Sequence, residues 1–376
     1  MSRRSTKIPP LVYGTGLISL DVVYGLGVAV PKYHVGGTCG NVLSALAFLG
    51  WDAYPISRLE NDGAGDIVRS DFRQCGVHDN YLSLSPTAST PIIVEQIAKT
   101  KHGEHTHRFQ LTCPSCGGYF PSFKALRHET AAAFLAECRV PKVFFADRVS
   151  RGIVTLAKHF SDRGALIYFE PCGTGDERLF REMAHLAHVL KYSQQRGRNF
   201  LDVLQGAKPL LQIETLGEDG MRYCSTLPKA TTKGWVKIDG IDVSDFKDAA
   251  GAGDWASSAL IDSLGWAGLR GLVKIGSEEL VNGMRYAQLL ASWNCKYEGA
   301  RGGMYEGGRL SLQEYLRSAL LRRTPLLIRS ENITMVPASL DVCRTCRPIG
   351  YKVLGESRAS RSASPDPDDK KSAIAS

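Results

Sequence analysis

Two rhythms of apolar and polar positions run along the chain. Short unbroken apolar runs bounded by glycine or polar residues read as buried strands, and longer stretches with apolar residues three and four apart read as helices. Residues 11–21 read as a first strand closing on a glycine-rich bend, and 22–35 as short strands crossed by turns. Residues 42–49 carry helical spacing and stop at Gly50. A short strand at 55–58, a turn at 62–65 and a helix at 66–74 come next, then an alternating strand at 90–98 with a polar hairpin tip at 102–107. Helices at 131–136, 153–159 and 179–188 alternate with strands at 143–146, 165–169 and 189–190. Strands at 210–214 and 221–224 precede helices at 254–264, 278–295 and 312–321. This order predicts an α/β sandwich on a largely parallel sheet, and the early β-rich stretches predict a small extra sheet attached to it.

With 376 residues the chain can bury one large core or two moderate ones. A composition of 43% hydrophobic and 22% charged residues is that of a globular protein. No apolar stretch is long enough to cross a membrane, and residues 1–10 are basic without an apolar signal segment, so the expected location is cytoplasmic. The formal net charge is +8, and residues 301–330 hold six arginines against Glu306 and Glu314. Aromatic residues are not interleaved with them, so this reads as a solvated basic face rather than a nucleic-acid groove. From residue 355 the chain has little to bury and is expected to be disordered.

The densest candidate chemistry is Asp248-Ala249-Ala250-Gly251-Ala252-Gly253-Asp254, directly before an apolar helix. Small residues let backbone N–H groups converge, and the helix start adds partial positive charge, which suits a phosphoryl group. Asp254 then reads either as a helix-start acid or as a base beside an anion cradle. Gly36, Gly37 and Gly40 lead into Asn41, which reads as a cap or as a polar contact in a strand–turn–helix. Asp21 can accept hydrogen bonds from vicinal hydroxyls or form a turn. The segment from Thr215 through Gly217 to Gly220 permits close backbone approach or makes a plain hairpin.

In order and spacing, these segments resemble the PfkB or ribokinase-like carbohydrate kinases, over residues 11–304. The 248–254 segment is similar to the family's DTxGAGD, with Ala249 where threonine is usual, and 36–41 resembles GGxxxN. Asp62 and Gly65 resemble GxDxxG with Glu60 at its first glycine, and Gly299-Ala300 resembles the late GA pair, with Gln288 where asparagine is common. The resemblance implies a three-layer sandwich with a mostly parallel central sheet and a small β lid. The kinase domain would be 11–325, with lid segments near 22–35 and 90–110, and 326–354 a C-terminal extension. It implies Asp254 as catalytic base, with Gly251, Ala252 and Gly253 as the anion hole. Asp21, Gly36, Gly37 and Asn41 would bind the acceptor, and Thr215, Gly217 and Gly220 would lie along the nucleotide phosphates. ATP and Mg2+ are implied, with a small sugar as acceptor. A nucleoside acceptor is the alternative, and a non-catalytic ligand-binding member of the fold another. Lid edges in this family often pair, implying a homodimer. Two places depart from the family. Phe169-Glu170-Pro171-Cys172 stands where FDxN is usual. Arg196 stands where the family's NxxE segment has a glutamate that helps organise magnesium. Arg196 can neutralise phosphate charge or lie on a surface.

Most of the ten cysteines read as small buried hydrophobes. Cys113-Pro-Ser-Cys116 and Cys343-Arg-Thr-Cys346 are different, because two CxxC pairs supply four thiolates, enough for a tetrahedral structural zinc. Turn cysteines or a redox pair are the other readings. A zinc site requires the C-terminal segment to fold back.

Overall fold

The computed structural model describes residues 8–27, 30–99, 105–200, 202–204, 206–320 and 343. Its strands in chain order are β1 (Leu11–Thr15), β2 (Ser19–Tyr24), β3 (Lys32–Gly36), β4 (Asp52–Pro55), β5 (Ser57–Leu59), β6 (Leu82–Leu84) and β7 (Ile92–Lys99). They continue as β8 (His105–Gln110), β9 (Val143–Ala146), β10 (Leu166–Phe169), β11 (Val189–Ser193), β12 (Leu211–Thr215), β13 (Met221–Ser225) and β14 (Val236–Ile238). Eight of them form one sheet in the order β14-β13-β12-β11-β10-β9-β1-β4. Its strands from β12 to β4 are parallel, and β13 and β14 extend one edge antiparallel.

Side-chain alternation divides this sheet between two cores. Val12, Val143, Phe145, Leu166 and Tyr168 face one core, shared with Leu46, Trp255, Leu290 and Trp293 of the helices Thr38–Phe48, Ala252–Leu264 and Ser277–Asn294. Tyr13, Phe144, Ile167, Phe169 and Leu190 face the other, against Phe134, Phe160 and Phe180 of the helices His128–Leu135, Arg151–Ser161 and Glu177–Leu186. Burial on both faces is why these strands read as unbroken apolar runs. The second sheet, β3-β2-β7-β8, is the expected small lid. Among the described residues, no helix is long and apolar enough to cross a membrane.

The structure redraws several boundaries. The expected strand at 11–21 is two strands in different sheets, broken at Gly16. There φ is 140°, an added Cβ would lie 1.5 Å from Asp147 Oδ1, and the Leu17 N–H donates to that oxygen at 2.9 Å. Asp21 therefore belongs to the lid strand β2, not to the end of the first strand. The expected strand at 55–58 is likewise split between β4 and β5. His105 to His107 extend β8 rather than forming a hairpin tip. Asp62 caps the Gly63–Gln74 helix, its side chain accepting from Gly65 N at 2.8 Å. The tail from 355 lies outside the described residues, as do all other residues beyond 320 except Cys343.

Candidate active site

The Ala252–Leu264 helix starts from a turn that other segments clamp in place. Gly251 has φ 72°, and an added Cβ there would lie 2.2 Å from the Ala300 carbonyl oxygen, so only glycine admits both the left-handed backbone and the close approach. Asp248 accepts from Ala250 N and from Gly299 N, each at 2.9 Å. Asn294 Nδ2 donates to the carbonyls of Ala250, Gly299 and Ala300 at 3.2–3.3 Å. The Gly299-Ala300 pair is thus fastened onto the 248–254 turn, and the helix's positive end lies under Gly251, Ala252 and Gly253.

Asp254, in the first turn of this helix, accepts a 2.7 Å hydrogen bond from Asn41 Nδ2, a residue 213 positions away. Burial, followed by the charge of Glu170, raises its pKa to about 7, against the lowering pull of Asn41, Lys191 and Arg196. Asn41 was expected to face an acceptor hydroxyl. Its amide nitrogen donates to Asp254, while its Oδ1 is buried without a protein partner.

Beneath the turn lies a buried ion pair. Lys191 Nζ donates to Glu170 Oε1 at 2.5 Å and to the Gly253 carbonyl at 3.0 Å, and Ser257 Oγ holds the other Glu170 oxygen. Arg196 Nη1 lies 3.2 Å from Cys172 Sγ and is close enough to lower the pKa of Asp147 and Asp254. Arg196 is an exposed residue of the short helix Gln194–Gly197, on the surface beside these strand ends. Asp147, Glu170 and Arg196 all follow the carboxyl ends of the parallel strands β9, β10 and β11, where open α/β sheets bind ligands. Lys191 and Asp147 were missed from the sequence, and Glu170 was noted only as a departure. A charged residue inside the apolar run 189–193 was the available signal, since buried lysines need partners.

Asp21 is buried, accepts from Ser19 Oγ at 2.8 Å, and has its pKa raised by burial to about 6. A Cβ at Gly36 would lie 1.8 Å from the Asp21 carboxyl carbon, so glycine there makes room for the carboxylate. Gly37 follows with φ 77° and precedes the Thr38–Phe48 helix that carries Asn41. A cleft beside Asp21 is lined by Lys32, His34, Glu298 and Arg301. Arg301 Nη2 binds Asp71 Oδ2 at 2.6 Å and the Val35 carbonyl at 2.5 Å, and Tyr305 stacks on His34 with ring centroids 4.3 Å apart. On the next lid strands, His107 Nδ1 meets Asp248 Oδ1 at 2.7 Å, with the buried Glu95 carboxyl adjoining.

Two further groups of residues complete the layout. Thr215 ends β12, and Gly217 to Gly220 form the tight turn into β13, closed by Leu216 N donating to Gly220 O at 2.8 Å. An added Cβ at Gly220 would lie 2.3 Å from the Ile238 carbonyl oxygen. The segment is a hairpin turn, and β12 is the neighbour of β11, whose end leads to Arg196. The sulfurs of Cys113, Cys116 and Cys343 come together within 4.8 Å of one another, while Cys346 lies outside the described residues.

No family model matches the sequence, and no curated protein does. Solved structures do match. A nucleoside kinase from Burkholderia thailandensis in complex with inosine is 18% identical, with a TM-score of 0.60 over 83% of this chain and 99% of that one. A fructokinase from Xylella fastidiosa with bound ATP is 17% identical, with a TM-score of 0.61 over 82% of this chain and 99% of that one. A ribokinase from Arabidopsis thaliana complexed with ribose and ATP is 17% identical, with a TM-score of 0.58 over 82% of this chain and 99% of that one. The chain has the ribokinase-like fold, an α/β sandwich with its small β lid. These neighbours are sugar and nucleoside kinases, and they match nearly their whole length.

Proposed function

We propose that the protein is an ATP-dependent phosphotransferase acting on a hydroxyl of a small sugar, with Asp254 as general base. The observation that carries this reading is the 2.7 Å bond between Asn41 and Asp254 at the start of the Ala252–Leu264 helix. It joins two distant segments into one site and leaves a carboxylate with a pKa near neutrality beside a cradle of backbone N–H groups. Asp254 takes the proton of the attacking hydroxyl. The Gly251, Ala252 and Gly253 turn carries charge that develops on the transferred phosphoryl group. Asp21 and Asn41 Oδ1 accept from acceptor hydroxyls, and the lid keeps water from the transfer.

The nucleotide phosphates lie along Thr215, Gly217 and Gly220, with Arg196 as a cationic partner. The strand-end residues do not fit a protein-held magnesium. Asp147 is bound by Leu17 N and Arg148, Glu170 by Lys191 and Ser257, and Arg196 adds a cation. Magnesium would enter with the ATP phosphates. A nucleoside acceptor is the second reading, favoured by the inosine-bound neighbour. A homodimer would use the edge of β8, where Phe109 and the following Leu111 are exposed.

A screen of sugars and nucleosides with ATP and magnesium tests the proposal. Turnover of one acceptor, lost in Asp254→Asn, is expected. Acceptor binding without phosphate transfer would overturn it in favour of a ligand-binding protein.

A further inference from the structure

Outside the proposed active site, one cluster of metal-ligating side chains joins parts of the chain that are far apart in sequence. Immediately after lid strand β8, residues 111–120 fold back on themselves, with Phe120 N donating to Leu111 O at 2.9 Å and a bridge between Thr112 and Tyr119. At the tip, Cys113 N donates to Gly118 O and Gly117 N donates to Cys113 O, each at 2.8 Å. Gly117 has φ 71°, the left-handed backbone that lets the chain turn so tightly after Cys116. The tip brings Cys113 and Cys116 together, and Cys343 reaches them from the other end of the chain.

The sulfur spacing carries the chemistry. Cys116 Sγ and Cys343 Sγ are 3.7 Å apart, across 227 positions of sequence. A disulfide would bring them to ~2.05 Å. Four thiolates at ~2.3 Å from a tetrahedral zinc are ~3.8 Å from each other. Two of the three sulfurs belong to buried residues, Cys113 and Cys343, which is where a structural rather than an exchangeable ion is held. Cys346 follows Cys343 in the sequence at the spacing by which Cys116 follows Cys113, and lies outside the described residues.

We propose that Cys113, Cys116 and Cys343 bind one structural zinc ion, with Cys346 the fourth thiol that the sequence offers, and that the ion pins Cys343 to the hairpin that follows lid strand β8. The ion neutralises thiolates that would otherwise repel, and it closes a loop of more than two hundred residues between the lid and the C-terminal segment. Its binding energy therefore stabilises the folded chain. This inference does not depend on the kinase reading, because its readout is metal.

The test uses the full chain purified without a metal-affinity tag. Elemental analysis should find close to one zinc per chain. Cobalt(II) exchanged into the site should show the thiolate charge-transfer band and the intense visible bands of tetrahedral sulfur coordination. Cys113→Ser with Cys116→Ser, and separately Cys343→Ser with Cys346→Ser, should each abolish stoichiometric metal. Chelation of the wild-type chain should lower its melting temperature by several degrees. It should also raise hydrogen exchange in residues 105–120, a reading that stands even where a variant fails to fold. Metal-free protein with every thiol reactive, or a chain lighter by the pair of hydrogens a disulfide loses, would overturn the proposal. Zinc retained by either double variant would also overturn it.

Discussion

At the scale of single residues, the protonation of Asp254 sets the behaviour of the site. Burial and Glu170 raise its pKa to about 7, so at lower pH it carries its own proton and cannot accept another. The acceptor kcat/KM is therefore expected to rise with pH through an inflection near 7, and Asp254→Asn should abolish that limb with a loss of roughly 10²-fold or more. A profile that is flat from pH 6 to 8 would remove Asp254 as the base. The opposite trend is expected for stability. A carboxyl with a raised folded pKa costs stability once pH exceeds the unfolded value of 3.8, and the cost is complete above about 7. Asp254→Asn should thus melt higher than wild type at alkaline pH while being inactive. Gly36 is the second sensitive position, since any side chain there meets the Asp21 carboxylate. Gly36→Ala should displace that carboxylate and raise the acceptor KM by about tenfold or more, the cost of a misplaced charged hydrogen bond, with little change for ATP. Direct acceptor binding checks this, and an equal loss for both substrates would count against the role of Asp21.

At the scale of elements, the lid docks on the 248–254 turn through titratable groups. His107 on β8 pairs with Asp248, and this bond, against the effect of burial, raises the imidazole pKa above 6.5. Glu95 on β7 faces the same carboxylate, and burial together with the Asp248 charge holds it protonated. Because the folded pKa of His107 is raised, its contribution is fully present below 6.5 and is lost as pH climbs through the raised value. Hydrogen-exchange protection factors across β7 and β8 are therefore expected to fall as the solution is made alkaline. His107→Gln should flatten that dependence. Protection that is independent of pH in the wild type would show that the lid is held by its apolar contacts alone.

At the scale of the molecule, one buried ion pair ties three distant segments together. Arg301, after the Ser277–Asn294 helix, binds Asp71 of the Gly63–Gln74 helix and the Val35 carbonyl of lid strand β3. Burial pushes the Asp71 carboxyl up, but the Arg301 charge, the His34 imidazole and the hydrogen bonds from Arg301 and Val35 N together outweigh it and hold the carboxyl below its ordinary value. Arg301→Met leaves that buried carboxylate without a cation, held by Val35 N and the Tyr305 hydroxyl, at a cost of up to about 3–5 kcal/mol. Denaturant unfolding should show this loss, and adding Asp71→Leu should recover much of it. A double variant as unstable as the single one would mean that packing of the arginine stem, not charge, is what matters.

The alternation of strands and helices, and the glycine-rich segments that open the helices Thr38–Phe48 and Ala252–Leu264, follow from local sequence. The strand Val143–Ala146 has the bounds read from its apolar run, because a strand buried on both faces has no polar register to obscure its ends. Gly36, Gly37 and Gly251 stand out because left-handed backbone or close approach excludes a side chain at each. Tertiary structure alone decided which sheet Asp21 joins, since the break at Gly16 depends on Asp147 more than a hundred positions away. It also decided that Asn41 holds Asp254, that Lys191 neutralises Glu170, that His107 reaches Asp248, and that Cys343 meets Cys113 and Cys116. Apart from the cysteines, whose two CxxC spacings suggested a shared site, each of these contacts joins residues whose local sequence carries no sign of the partner. A charge or a thiol declares its chemistry in sequence, but the group that satisfies it is chosen by the fold.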